Sequence, residues 1–147
     1  MAKIVNTSGK RKRAIARATL KEGNGIIRIN KSLLTNYGNQ LARMRIQEPL
    51  EIVNDVAVKV NIDVNVRGGG WQSQAEASRL AIARALVEYS RGDKVKKALL
   101  DYDRHLLIAD VRFNESAKPN DSGKPRAKRQ KSYRWYQNNW NNKTESF

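Results

Sequence analysis

Residue types that could do acid–base, nucleophilic or metal chemistry are scarce in this chain. His105 is the sole histidine and there is no cysteine. A cysteine nucleophile, a thiolate metal site and a disulfide are therefore excluded. With no second histidine or thiol to work with, His105 beside Leu106 reads as a structural or RNA-contacting residue rather than a general base. Asp101, Asp103 and Asp110 are the nearest thing to a carboxylate cluster, and they make only a weak magnesium site. The run Val66-Arg67-Gly68-Gly69-Gly70-Trp71 lacks the Lys-Ser/Thr that completes a phosphate-binding loop and the last glycine of the dinucleotide fingerprint. Two readings of it stand side by side. The glycines let the backbone swing from a strand into a helix, or they bed an RNA phosphate against the chain. No catalytic residue, no metal site and no cofactor is expected, so the chain does not read as an enzyme.

The basic segments say more. Lys10-Arg11-Lys12-Arg13 are consecutive cations, Arg17 follows, and residues 1–21 contain no acid. A solvated face normally mixes signs. The C-terminal third repeats the pattern with Lys124, Arg126, Lys128, Arg129, Lys131 and Arg134, with Ser132 and Tyr133 beside the last, and only Asp121 opposes them nearby. Lys and Arg total 29 against 14 Asp and Glu, a net charge of +15, which favours a polyanionic partner. Phosphate contacts make affinity fall steeply with salt. Arginine adds two-pronged phosphate recognition, and Tyr133 offers a ring for stacking. No apolar run spans a membrane, and Met1-Ala2-Lys3-Ile4-Val5 turns polar at Asn6 before a signal-peptide core could form. The lack of cysteine fits a reducing cytoplasm. No major-groove recognition helix is evident, and a compact body with basic extensions suits folded RNA. The rivals are a transient RNA chaperone, an enzyme on the same fold class, and a DNA-binding protein.

The elements that must position these residues follow from periodicity. Residues 3–31 read as strands. Ala14, Ala16, Ala18 and Leu20 share one face, and Arg11, Arg13, Ile15, Arg17, Thr19 and Lys21 share the other. Glu22-Gly23-Asn24-Gly25 predicts a turn, and Ile26, Ile27 and Ile29 a returning strand, together a β-hairpin. Ser32 is a candidate cap for a short helix from Leu33, and Asn39–Gln47 a second helix that Pro49 would interrupt. Val56, Val58, Val60, Ile62, Val64 and Val66 alternate with polar residues, which predicts a strand over 56–66. A long helix over Ser73–Ser90 is apolar on more than one side, with Arg79, Arg84 and Glu88 between. It should pack between the sheet and a second element. Gly92 is expected near its C-terminal cap and Asp93 as the cap of the next helix, which carries Val95, Ala98, Leu99 and Leu100. From Asn114 the chain becomes small, polar and cationic, with too little apolar surface to fold alone. The expected organisation is a globular body over 1–113, an extended basic tail over 114–134, and an aromatic, asparagine-rich extension over 135–147.

Three ordered segments carry a resemblance: Ser8-Gly9-Lys10-Arg11-Lys12-Arg13-Ala14-Ile15-Ala16-Arg17-Ala18, Val64-Asn65-Val66-Arg67-Gly68-Gly69-Gly70, and Pro125-Arg126-Ala127-Lys128-Arg129-Gln130-Lys131-Ser132-Tyr133-Arg134. With these, residues 1–134 resemble the small-subunit ribosomal protein S-nine family of archaeal type. The resemblance implies an α+β body like the second domain of ribosomal protein S-five, a mixed sheet packed against helices on one side. It implies a body bound to the 3′ major domain of small-subunit rRNA in the head, beside neighbouring head proteins. It also implies a tail that approaches peptidyl-site tRNA, with Arg134 near its phosphates. The implied rRNA-binding residues are Lys10, Arg11, Lys12, Arg13, Arg17, Arg67 and Gly68 to Gly70. Those of the tail are Lys124, Arg126, Lys128, Arg129, Lys131, Ser132, Tyr133 and Arg134. The family usually ends at the Ser-Tyr-Arg match, whereas this chain continues from Trp135 to Phe147. That bulky extension would crowd the decoding region.

Overall fold

The computed structural model describes residues 4–116. The first strand, β1 (Val5–Arg11), turns at Lys12 and Arg13 into β2 (Ala14–Glu22), and the pair forms an antiparallel ladder from Val5 opposite Leu20 to Arg11 opposite Ala14. Lys12 takes the left-handed conformation (φ 52°) that a two-residue hairpin loop demands. The hairpin thus lies one strand earlier than the glycine-based reading placed it.

The turn after Glu22 does exist, but β3 (Ile27–Ile29) does not return against β2. It pairs in parallel with β5 (Val60–Arg67), on the far side of that strand, and the order across the sheet is β1-β2-β5-β3-β4. The reason is the length of the competing ladders. Strand β5 offers β2 eight antiparallel pairs, from Ile15 opposite Arg67 to Glu22 opposite Val60, while β3 forms three pairs with β5. Alternation reports which face a residue takes, not which strand lies beside it. The short β4 (Ser32–Leu33) closes the sheet at one edge, followed by a 3-10 turn over Leu34–Asn36, so Ser32 is a strand residue and not a helix cap. Asn30 fastens this edge to β5. Its side chain both donates to the Val66 carbonyl (3.2 Å) and accepts from the Val66 amide (2.8 Å).

Helix α1 (Gln40–Ile52) begins at Asn39, whose side chain accepts from the Ala42 amide at 2.9 Å. It runs through Pro49 instead of stopping there, because Pro49 is buried together with Ile46 and Leu50 and that packing offsets the missing backbone hydrogen bond. The helical turn α2 (Asn54–Ala57) occupies the start of the expected long strand. The amides of Val56 and Ala57 bond the Val53 carbonyl at 3.1 and 3.0 Å. Val58 consequently stands exposed, and the ladder starts at Val60, where β2 first supplies a partner in Glu22.

Helix α3 (Trp71–Ser90) is the axis of the body. Ala77, Ala81, Ile82, Ala85 and Leu86 face the sheet core made by Ala14, Ala16, Ala18, Leu20, Ile62, Val64 and Val66. On its other side Ala83 joins Val53, Leu99 and Leu106 in a second cluster, as expected for a helix apolar on two sides. The small residues permit close approach. A Cβ at Gly9 of β1 would sit 2.2 Å from the Ala77 carbonyl oxygen, and Thr7 donates to the Ala81 carbonyl at 2.8 Å. The helix ends at Arg91, which adopts the left-handed conformation (φ 50°) expected of the neighbouring glycine. Gly92 precedes α4 (Asp93–Tyr102), whose first residue is Asp93. A last 3-10 turn, Arg104–Leu106, returns the chain along α3. The architecture is α+β, a mixed sheet with its helices on one side.

Candidate nucleic-acid interface

Because the helices cover one side of the sheet, the alternation of β1, β2 and β5 sends the remaining side chains to an open face. Ile15 stands opposite Lys10 on one neighbouring strand and Arg67 on the other, with Arg17 two residues after it on its own strand face and Arg13 two residues before it in the hairpin loop. Three arginines, Arg13, Arg17 and Arg67, thus gather around one aliphatic side chain that is itself 46% exposed. Arg13, Ile15, Arg17, Asn65, Arg67 and Gly68 line one concavity on this face. Among the described residues no carboxylate pairs with Arg13, Arg17 or Arg67. The acid on this face, Asp63, lies beyond Asn65, beside Arg28 of β3.

The glycine turn shapes the end of this concavity. Gly68 and Gly69 have φ of 77° and 68°, and a Cβ at Gly68 would lie 2.5 Å from the Arg13 carbonyl oxygen. The β1–β2 hairpin and the strand-to-helix turn are therefore in backbone contact, which side chains at these positions would break. Of the two readings of the glycine run, the structural one thus has a physical cause for Gly68 and Gly69, while Gly70 has open space around it. Gln74 ties the first turn of α3 back to Gly68, donating to its carbonyl at 3.2 Å, and also meets the Tyr37 hydroxyl at 3.3 Å. Burial raises the Tyr37 pKa.

Arg11 does not belong with Arg13 and Arg17. The hairpin loop reverses the chain after it, so Arg11 lies opposite Ala14 on the helix side, where Asp110 takes its guanidinium. Reading 11 to 21 as one uninterrupted strand had put it on the wrong face. Lys10 has its ammonium 4.6 Å from the centre of the Phe113 ring, and it lines a concavity together with Arg11, Arg79 and Asp110. Lys12 is exposed at the hairpin tip.

A second group of arginines, which sequence reading missed, lies behind the sheet. Arg79 is 7% exposed, and its guanidinium meets Glu48 of α1 at 2.5 Å and Asp103 after α4 at 3.0 Å. Its Nε has no hydrogen-bond partner. Arg45 pairs with Glu76. Asp110 also accepts from the Arg112 guanidinium (2.8 Å) and backbone amide (2.9 Å). These bonds, with the nearby charge of Arg11, hold its carboxyl far below the usual carboxylate range. Burial pushes the Asp103 carboxyl up, but the His105 amide and Arg79 outweigh it and leave the pKa lowered. His105 is exposed, with Nδ1 3.5 Å from Asp103. Asp103 and Asp110, two of the three acids considered for magnesium, are thus engaged by cations, and no cluster fit for a metal ion occurs among the described residues. Nor, among them, is any helix long and apolar enough to cross a membrane. Lys124, Arg126, Lys128, Arg129, Lys131, Ser132, Tyr133 and Arg134 lie outside the described residues, as does the extension from 135 to 147.

The family model described as ribosomal protein S9/S16 matches residues 9–134. The small ribosomal subunit protein uS9 of Methanococcus maripaludis strain C7 is 47% identical over 133 residues, which cover 90% of this chain and 99% of that protein. The protein of the same name from strain C5 matches to the same extent. Residues 135–147 fall outside the span matched by the family model.

Proposed function

Since the chain belongs to the ribosomal protein S9/S16 family, and is thus a structural, non-enzymatic constituent of the small ribosomal subunit in the cytoplasm, we propose that its open sheet face grips small-subunit rRNA. The ligand is the 3′ major domain of that RNA, in the head. The observation that carries this reading is the arrangement of Arg13, Arg17 and Arg67 around the exposed Ile15, with no described carboxylate paired to any of them. Phosphates engage the guanidiniums, and the aliphatic side chain gives a ribose a dry surface between them. Lys10 and Lys12 extend the contact along the hairpin, and Gly68 to Gly70 let RNA approach the backbone. Phosphate contacts hold RNA without reading its sequence, so shape decides which rRNA segment fits.

The test is a salt titration of rRNA binding by the triple variant Arg13→Ala, Arg17→Ala, Arg67→Ala. Each contact contributes a log–log slope of about 0.7 to 0.9, so the triple variant should lose roughly 2 to 3 from the slope while folding normally. An unchanged slope would remove the open face from the interface.

We further propose that residues 1–113 form the rRNA-held body, beside neighbouring head proteins, and that the segment over 114–134 reaches peptidyl-site tRNA. Lys124, Arg126, Lys128, Arg129, Lys131 and Arg134 supply its charge, and Ser132 and Tyr133 lead to Arg134. Charge alone does not choose among tRNAs, so this segment holds any of them. Subunits whose copy lacks residues 124–134 should assemble normally and release peptidyl-site tRNA faster. An unaltered tRNA dissociation rate counts against this role.

A further inference from the structure

We propose that Trp71 is a stacking platform for one unpaired base of the RNA held on the open sheet face, an inference that rests on the RNA-binding reading above. Trp71 opens α3 directly after the glycine turn and keeps half of its surface exposed. Burying an indole is strongly favoured in a folded chain, so one left open on a rigid mount invites a flat partner. The mount is rigid: the Gln74 amide bonds the Gly70 carbonyl at 3.0 Å, and the Gln74 side chain bonds the Gly68 carbonyl. Gly68 lines the cationic concavity, and the three residues from Gly68 to Trp71 span at most about 11 Å. A strand whose phosphates meet Arg67 and Arg13 therefore has a neighbouring base within reach of the ring. The first turn of α3 carries no acid to repel it.

The other exposed aromatics among the described residues lack this setting. Phe113 already carries Lys10 over its face, and Tyr102 is flanked by Asp101 and Asp103. Folded RNA splays unpaired bases that stack on aromatic side chains.

The experiment uses the full chain with Trp135→Phe and Trp140→Phe, so that Trp71 is the sole tryptophan, titrated with a small-subunit rRNA transcript. Binding should quench its fluorescence and shield it from iodide. On the natural background, Trp71→Leu should weaken binding roughly five- to 150-fold, the range set by one base–aromatic stack, with the salt slope unchanged. Trp71→Phe should restore most of the affinity. If Trp71→Leu binds as the parent does while the triple arginine variant binds weakly, the RNA face stands and the platform does not. If neither variant differs from the parent, the RNA-binding reading itself falls, and the platform with it.

Discussion

The two faces of the sheet use arginine for opposite ends. On the open face Arg13, Arg17 and Arg67 are exposed and have no carboxylate paired to them among the described residues. Behind the sheet Arg79, Arg11 and Arg45 each sit against Glu or Asp and hold one element to another. Residue type therefore says little in so basic a chain. Pairing and facing separate a cation that waits for a phosphate from one that is part of the fold.

The sharpest way to break this contrast is to make one substitution on each side. Arg79→Met removes a nearly buried guanidinium and strands Glu48 and Asp103. Breaking a buried pair costs about 3–5 kcal/mol. Both carboxylates keep about a third of their side-chain surface exposed, so water can recover part of that, and a loss of about 2–3 kcal/mol is expected in urea unfolding. Adding Glu48→Gln and Asp103→Asn should return much of it. The salt slope of rRNA binding should stay as it was. Arg17→Met should do the reverse: stability within about 0.5 kcal/mol of the parent and a slope smaller by about 0.7 to 0.9. If Arg79→Met left stability intact, or Arg17→Met unfolded the chain, the division of labour would be wrong.

Much of the open face was legible in the sequence because strand alternation is strict. The alanines of β2 on one side and Ile15 and Arg17 on the other follow from period two alone, whereas Arg13 stands in the hairpin loop. The two-sided α3 was legible too, since Ala81, Ile82, Ala85 and Leu86 cover one side and Ala83 another. The place of Arg11 was not, because it depends on where the hairpin turns. Lys12 turns the chain with a left-handed conformation that its side chain does not advertise. Nor was the partner of β2 legible, since β5 lies some 40 residues away in the chain and wins by ladder length. The Arg79 clamp was hidden for the same reason. Glu48 and Asp103 lie on either side of it in sequence, and only the packing of α1 and α4 against α3 brings them together. The feature that could have raised it is an arginine inside a helix apolar on two sides, where a cation needs a partner.

Asp110 tests whether pairing or facing matters more, and here the expected effect is the smallest. Its pKa is depressed in the folded chain by Arg112 and Arg11. The contribution it makes to stability is therefore fully present above the unfolded pKa of about 3.9 and is lost as pH falls through the lower folded value. Asp110→Asn should be less stable than the parent by a constant margin between pH 5 and 8, and the two curves should converge below pH 4. A margin that widened on acidification would contradict a depressed pKa. The same variant frees Arg11 from its carboxylate without moving it to the open face. If facing decides, the salt slope for rRNA remains that of the parent. If the slope rises by about 0.7, the value of one added phosphate contact, then Asp110 was what kept Arg11 from the RNA, and pairing is the stronger of the two determinants.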